Sequence, residues 1–132
     1  MNKWIEIRHV MTRDLVTARV NETLTEIKAK LDDRNIQHIP IMEGKKIMGM
    51  ISKGDLLRME HHLTVFNTKK AIESNKIIFD TMLAGDVMTR KLVMLRENDP
   101  LTVAVDLFRE NLFHALPVIN DQHDLVGIVT PL

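Results

Sequence analysis

The segment Val10-Met11-Thr12-Arg13-Asp14-Leu15-Val16-Thr17 returns 77 residues later as Val87-Met88-Thr89-Arg90-Lys91-Leu92-Val93-Met94. Leu24 maps to Leu101 and Pro40 to Pro117 at the same spacing, and Gly49 maps to Gly127 at 78. A constant spacing across separated blocks marks an internal repeat, and the one extra residue is readily absorbed in a turn. His38-Ile39-Pro40-Ile41 and Gly49-Met50-Ile51-Ser52-Lys53-Gly54-Asp55-Leu56 recur as Ala115-Leu116-Pro117-Val118 and Gly127-Ile128-Val129-Thr130-Pro131-Leu132. The sequence breaks off one residue short of the counterpart of Asp55, so the second copy reads as C-terminally truncated. The repeat divides the chain into unit 1 at residues 7–57, a structured helical linker at 58–84 and unit 2 at 85–132.

The local patterns within a copy are legible. Leu15-Val16-Thr17 reads as a short extended segment. Thr23 followed by Glu26 is a capping box, and Leu24, Ile27 and Leu31 recur at helical spacing, so a helix is expected over about 23–34. In copy two, Asp99-Pro100 reads as a capping residue with Pro at the first helical position, and the buried face is Leu101, Ala104, Val105, Phe108 and Leu112. Ile39-Pro40-Ile41-Met42 reads as a strand, with Pro40 at a strand start or edge because it donates no amide hydrogen. Glu43-Gly44-Lys45-Lys46 is a hairpin turn. Ile47-Met48-Gly49-Met50-Ile51 returns, with Gly49 marking a bulge or a close approach of backbone or ligand. Ser52-Lys53-Gly54-Asp55 opens a second helix. Residues 68–83 carry a weak amphipathic helical pattern. Each copy therefore reads as strand, helix, strand, strand, helix, an α/β (α+β) fold.

Composition narrows the function classes. Eighteen basic and eighteen acidic residues leave no net charge, which argues against nucleic acid. The chain has no cysteine, which removes disulfides, thiolate metal sites and Cys nucleophiles and fits a cytoplasmic setting. No apolar run approaches the roughly 18 to 20 residues that span a bilayer. His61 and His62 are neighbours on a helix and do not share a face, so no metal site is assigned. No Ser-His-Asp ordering, phosphate loop or paired-carboxylate context appears, and the chain reads as a non-enzyme.

The Val-Met-Thr segment, the helix, the apolar-Pro-apolar strand and the Gly-x-x-Ser-x-x-Asp-Leu stretch together resemble the CBS domain, the cystathionine beta-synthase motif. Two copies in tandem resemble a CBS pair, or Bateman module, and the standalone arrangement resembles bacterial acetoin-utilisation-type CBS proteins. The resemblance implies two units, each a small three-stranded sheet flanked by helices, packed about a pseudo-twofold axis with two clefts between them. It implies that such clefts take AMP, ADP, ATP or S-adenosylmethionine as a regulatory ligand, that no cofactor is required, and that pairs form homodimers. The first cleft would combine Met50, Ser52 and Asp55 with Thr89, Met94 and Phe113. The second would combine Thr12, Thr17, Ile36 and His38 with Ile128 and Thr130.

The same residues support plainer readings. Ser52 and Asp55 also make an ordinary helix cap, worth about 1 kcal/mol. His38 reads equally as a half-buried, hydrogen-bonded histidine, and the nine methionines as adaptable core filling. Phosphate would need a cation, for which Arg90 and Lys53 are the candidates by sequence. Two functions follow: a ligand-sensing module that controls a partner or attached domain, or a structural dimerisation module with degenerate, empty clefts.

Overall fold

A computed structural model describes residues 5–63, 69–110 and 113–131, without side-chain detail for residues 61–63 and 71. Its elements alternate as the repeat demands: β1 (Ala18–Arg19), α1 (Leu24–Asp33), β2 (His38–Glu43), β3 (Lys46–Ser52), α2 (Lys53–Leu63) and α3 (Lys69–Thr81), then α4 (Ala84–Val87), β4 (Leu95–Arg96), α5 (Leu101–Arg109), β5 (Leu116–Ile119) and β6 (Leu125–Val129). Among the described residues there are two three-stranded sheets, ordered β1-β2-β3 and β4-β5-β6. In each, a two-residue strand pairs in parallel with the centre: Ala18 with Ile41, and Leu95 with Val118. The hairpin partner lies on the other side, and β5 pairs antiparallel with β6.

The chain divides into two compact units that do not coincide with the sequence copies. The first comprises Met1–Leu15, Gly44–Ile47 and Lys91–Leu132; the second comprises Val16–Glu43 and Met48–Arg90. Each unit thus takes the Val-Met-Thr segment of one copy and the sheet of the other.

In the second unit, Met50 and Thr89 exchange backbone hydrogen bonds of 3.0 and 2.9 Å. The Met88 side chain lies over Gly49. A Cβ built on Gly49 would stand 2.5 Å from the Met88 sulfur and 2.8 Å from the Thr89 carbonyl oxygen. The first unit repeats the device with the roles of the copies reversed. Thr12 and Ile128 exchange bonds of 2.9 and 3.0 Å, and the Met11 sulfur is 2.6 Å from a Cβ built on Gly127. The glycines are therefore required by a crossing segment, which is the close approach that a glycine inside a strand signals.

The second unit's core gathers Leu24, Ile27 and Leu31 of α1, Ile39 and Ile41 of β2, Ile51, Leu56, Phe79, Ala84 and Met88. At about 1.5–3 kcal/mol for each fully buried large aliphatic side chain, this cluster is the main force holding α1, α2 and α3 to the sheet. The capping box of α1 forms as expected: Glu26 donates its N–H to Thr23 Oγ1 at 3.2 Å, and Thr23 donates its own to Glu26 Oε1 at 3.3 Å. The first unit's core is smaller: Ile7, Met11, Leu95, Ala104, Leu116, Val118 and Val129.

Four local expectations are corrected. The extended segment of copy one is Ala18–Arg19 rather than residues 15–17. Pro40 lies in a central strand, not at an edge. It is tolerated because β1 pairs only with Ile41 and Met42, so no β1 bond is asked of Pro40. Pro100, not Asp99, is the residue before α5, with extended φ −64° and ψ 145° and no side-chain cap. Asp99 instead accepts the Arg96 N–H at 2.8 Å, closing the turn before the helix as Glu22 does for Arg19. Of the face expected to be buried on α5, only Ala104 is buried; Leu101, Val105 and Phe108 are half-buried, and Leu112 lies outside the described residues.

The hairpin turns also meet in the first unit. The Lys46 ammonium reaches Asp124 at 2.7 Å and donates to the Gln122 carbonyl, while Leu125 donates its N–H to the Lys45 carbonyl at 3.1 Å. The Lys46 hydrogen bond holds the Asp124 carboxyl below the usual carboxylate range, against desolvation, which raises it, and with the charges of Lys46 and Lys45 adding to the depression.

Two predictions follow from these contacts. Gly49→Ala should destabilise by about 1–3 kcal/mol, the usual range for overpacking, because the Thr89 backbone cannot swing aside. Gly127→Ala should cost less, since every close neighbour is the flexible Met11 side chain. Urea denaturation of the two variants and of Gly127→Ala/Met11→Ala checks this, with the second change partly relieving the first. For Asp124, whose folded pKa is depressed, the stabilisation is present above the unfolded value of about 3.9 and is lost as pH falls through the folded value. The stability difference between wild type and Asp124→Asn should therefore hold at pH 6 and shrink below about pH 4.

Candidate functional site

The second compact unit concentrates the residues of the first expected cleft. Met50 lies in β3 and is buried, Ser52 ends that strand, and Asp55 stands in the first turn of α2. Thr89 is brought to the same place by its pairing with Met50. A depression of about 480 Å³ is lined by Asp55, Arg58, Met59, Val87 and Thr89.

The sequence Ser-x-x-Asp folds locally into a reciprocal cap. Asp55 donates its N–H to Ser52 Oγ at 3.0 Å, and Ser52 donates its N–H to Asp55 Oδ2 at 3.2 Å. The second carboxylate oxygen, Oδ1, accepts from the Arg58 guanidinium one helical turn on. The strand start is tied in as well, since Lys53 donates its N–H to the Gln37 carbonyl at 2.8 Å. Asp55 thus serves the helix, yet its side chain remains 42% exposed at the edge of the depression. Thr89 is exposed. The arrangement offers carboxylate and hydroxyl groups beside apolar walls from Met59 and Val87, which suits a ligand with both a polar and a flat apolar part.

The remaining expected residues of this cleft, Met94 and Phe113, belong to the other compact unit. Met94 is 42% exposed, and Phe113 is half-buried against that unit's core. Of the second cleft, Thr12, Ile128 and Thr130 come together in the first unit. They line a depression of about 360 Å³ with Val10, Pro131 and the α5 face of Leu101, Val105 and Phe108. Thr17, Ile36 and His38 lie in the second unit. There the Thr17 carbonyl accepts from the Lys30 ammonium at 3.0 Å, and Ile36 packs on the core.

Both cations suggested by sequence are engaged away from the depression. Lys53 pairs with Asp32 at 3.3 Å, and Arg90 donates to the Gly85 carbonyl at 2.8 Å. Sequence reasoning missed Arg58, although its spacing of three from Asp55 on a helix puts the two on one face. Among the described residues no group of three His, Asp or Glu side chains is placed to hold a metal ion, and no helix is long and apolar enough to cross a membrane.

The family model described as the CBS domain matches residues 7–62 and 84–131. The solved structure of a putative acetoin utilization protein (AcuB) from Vibrio cholerae is 27% identical and superposes with a TM-score of 0.76, over 96% of this chain and 84% of that one. CBSX2 of Arabidopsis thaliana, solved in complex with AMP, is 25% identical with a TM-score of 0.76 over 96% and 90%. The CBS domain pair of protein MJ0100, solved with 5′-methylthioadenosine and S-adenosyl-L-methionine, is 26% identical with a TM-score of 0.70 over 96% and 92%. Among curated relatives, an L-aspartate semialdehyde sulfurtransferase of Methanocaldococcus jannaschii is 28% identical over 126 residues, which is 94% of this chain and only 21% of the relative. With two matches to one family model, in the order that the repeat sets, the chain belongs to the CBS domain family and carries a tandem pair.

Proposed function

We propose that this chain is a regulatory ligand-sensing module rather than an enzyme. It takes an adenosine-containing ligand, AMP, ADP, ATP or S-adenosylmethionine, at the site organised by Met50, Ser52, Asp55 and Thr89, and it passes the bound state to a partner or an attached domain. The observation that carries this reading is the convergence of Asp55 and Thr89, 34 positions apart in the sequence, on one depression. The carboxylate accepts ribose hydroxyls, and Met59 and Val87 contact the base. The AMP and S-adenosyl-L-methionine complexes of CBSX2 and of MJ0100 support the ligand class. The small share of the sulfurtransferase relative that this chain spans supports control of a larger protein. Sensing requires that the ligand bind two conformations of the module with different affinity.

The rival reading, a homodimerising structural module with empty clefts, draws on the half-buried apolar face of α5. Light scattering that finds a monomer at micromolar concentration counts against it.

The test separates Asp55 as ligand contact from Asp55 as cap. Asp55→Asn keeps an acceptor for the Ser52 N–H and should change stability by less than about 1 kcal/mol. Loss of a charge-assisted hydrogen bond should weaken AMP binding by roughly tenfold or more. Thermal-shift titration of both proteins reads the two effects together, since wild type at 100 times its dissociation constant gains about 2.7 kcal/mol. Equal AMP affinity in Asp55→Asn, or no response of wild type to any adenosine ligand, overturns the reading.

A further inference from the structure

We infer that Arg58 is a displaceable latch on Asp55, and that it makes this site select phosphate-bearing adenosine ligands over uncharged or sulfonium ones. The inference rests on the reading of the site given above and adds to it the chemistry of the ligand and the residue that chooses it.

Each oxygen of the Asp55 carboxylate already has a partner. Oδ2 accepts the Ser52 N–H at 3.2 Å and Oδ1 accepts from the Arg58 guanidinium. The first contact is part of the helix cap and is retained for as long as α2 keeps its first turn. The second is a pair between side chains 42% and 74% exposed, three residues apart on one helix, and exposed pairs of this kind contribute little to stability. A ribose hydroxyl therefore reaches Asp55 by moving Arg58 aside, and the helix is undisturbed.

Moving Arg58 aside is favourable only if the guanidinium gains a new partner. Among the described residues that line the depression, Arg58 is the one cation. The nearby cations Lys53 and Arg90 are held by Asp32 and by the Gly85 carbonyl. Guanidinium binds phosphate oxygens in a two-pronged geometry, so a nucleoside phosphate satisfies both halves of the separated pair. Its ribose replaces Arg58 on Asp55, and its phosphate receives Arg58. Adenosine releases Asp55 but leaves the guanidinium to solvent. S-adenosylmethionine places a sulfonium, of like charge to the guanidinium, at the 5′ position where AMP carries phosphate, and its one carboxylate lies farther out at the end of the methionine chain. Exchange of one ion pair for two charge-complementary contacts thus depends on the phosphate.

The discriminating quantity is the ratio of AMP to adenosine affinity, measured by calorimetry for wild type and Arg58→Gln, with S-adenosylmethionine as a third probe. Wild type should bind AMP at least tenfold more tightly than adenosine or S-adenosylmethionine. Arg58→Gln should lower the AMP to adenosine ratio at least tenfold, through weaker AMP binding with adenosine unchanged or tighter. Its thermal unfolding should match wild type, because the side chain is exposed. An unchanged ratio in Arg58→Gln, or tighter binding of S-adenosylmethionine than of AMP by wild type, overturns the inference and leaves the adenosine-binding function standing. Failure of wild type to bind any of the three compounds overturns both.

Discussion

A methionine laid over a glycine, flanked by one pair of backbone hydrogen bonds, fixes each Val-Met-Thr segment on its sheet. Met88 crosses the strand at Gly49 while Thr89 bonds Met50, and Met11 crosses at Gly127 while Thr12 bonds Ile128. Any Cβ at either glycine meets the methionine sulfur at 2.5–2.6 Å, well inside van der Waals contact. The surrounding turns match as well. Arg13 donates to the Arg8 carbonyl at 3.2 Å and Arg90 to the Gly85 carbonyl at 2.8 Å, so each crossing segment is clamped by its own arginine. Buried apolar side chains supply most of the stability, but this backbone pairing specifies which segment lies on which sheet.

The crossing also builds the site. Thr89 reaches the depression at the start of α2 only because it is paired with Met50, and Asp55 reaches it because Ser52 caps that helix. A residue of copy two and the strand and helix of copy one therefore act as one structural element. The cap gives Asp55 a fixed orientation before any ligand arrives, which lowers the ordering cost of binding. The same local chemistry explains why a plain structural reading of Ser52 and Asp55 is correct without exhausting their role: one carboxylate oxygen serves the helix and the other faces solvent and Arg58.

Much of this architecture was legible in the residues. The strands around Pro40 and Pro117, the Thr23–Glu26 cap and the periodic face of α1 were readable because each is a local pattern. The readings that failed compete locally on nearly equal terms. Asp99 is a good cap by type, but its carboxylate is closer to the Arg96 amide of its own turn. Pro40 violates the rule for central strands until the two-residue length of β1 is known. The exchange of Val-Met-Thr segments between compact units leaves no local trace except the glycines. Arg58 went unnoticed because an arginine on a helix surface resembles a solvated charge, and only its approach to Asp55 distinguishes it.

Amide hydrogen exchange with and without AMP shows whether the Met50–Thr89 pairing holds the ligand site together. In the free chain, the Met50, Thr89, Thr12 and Ile128 amides should all be protected well beyond a free-chain rate, because each is a bonded donor. Saturating AMP should slow Met50 and Thr89 further while leaving Thr12 and Ile128 unchanged. Free-chain exchange at Met50 and Thr89 before AMP is added, or an AMP effect confined to Thr12 and Ile128, would mean that this pairing does not hold the site.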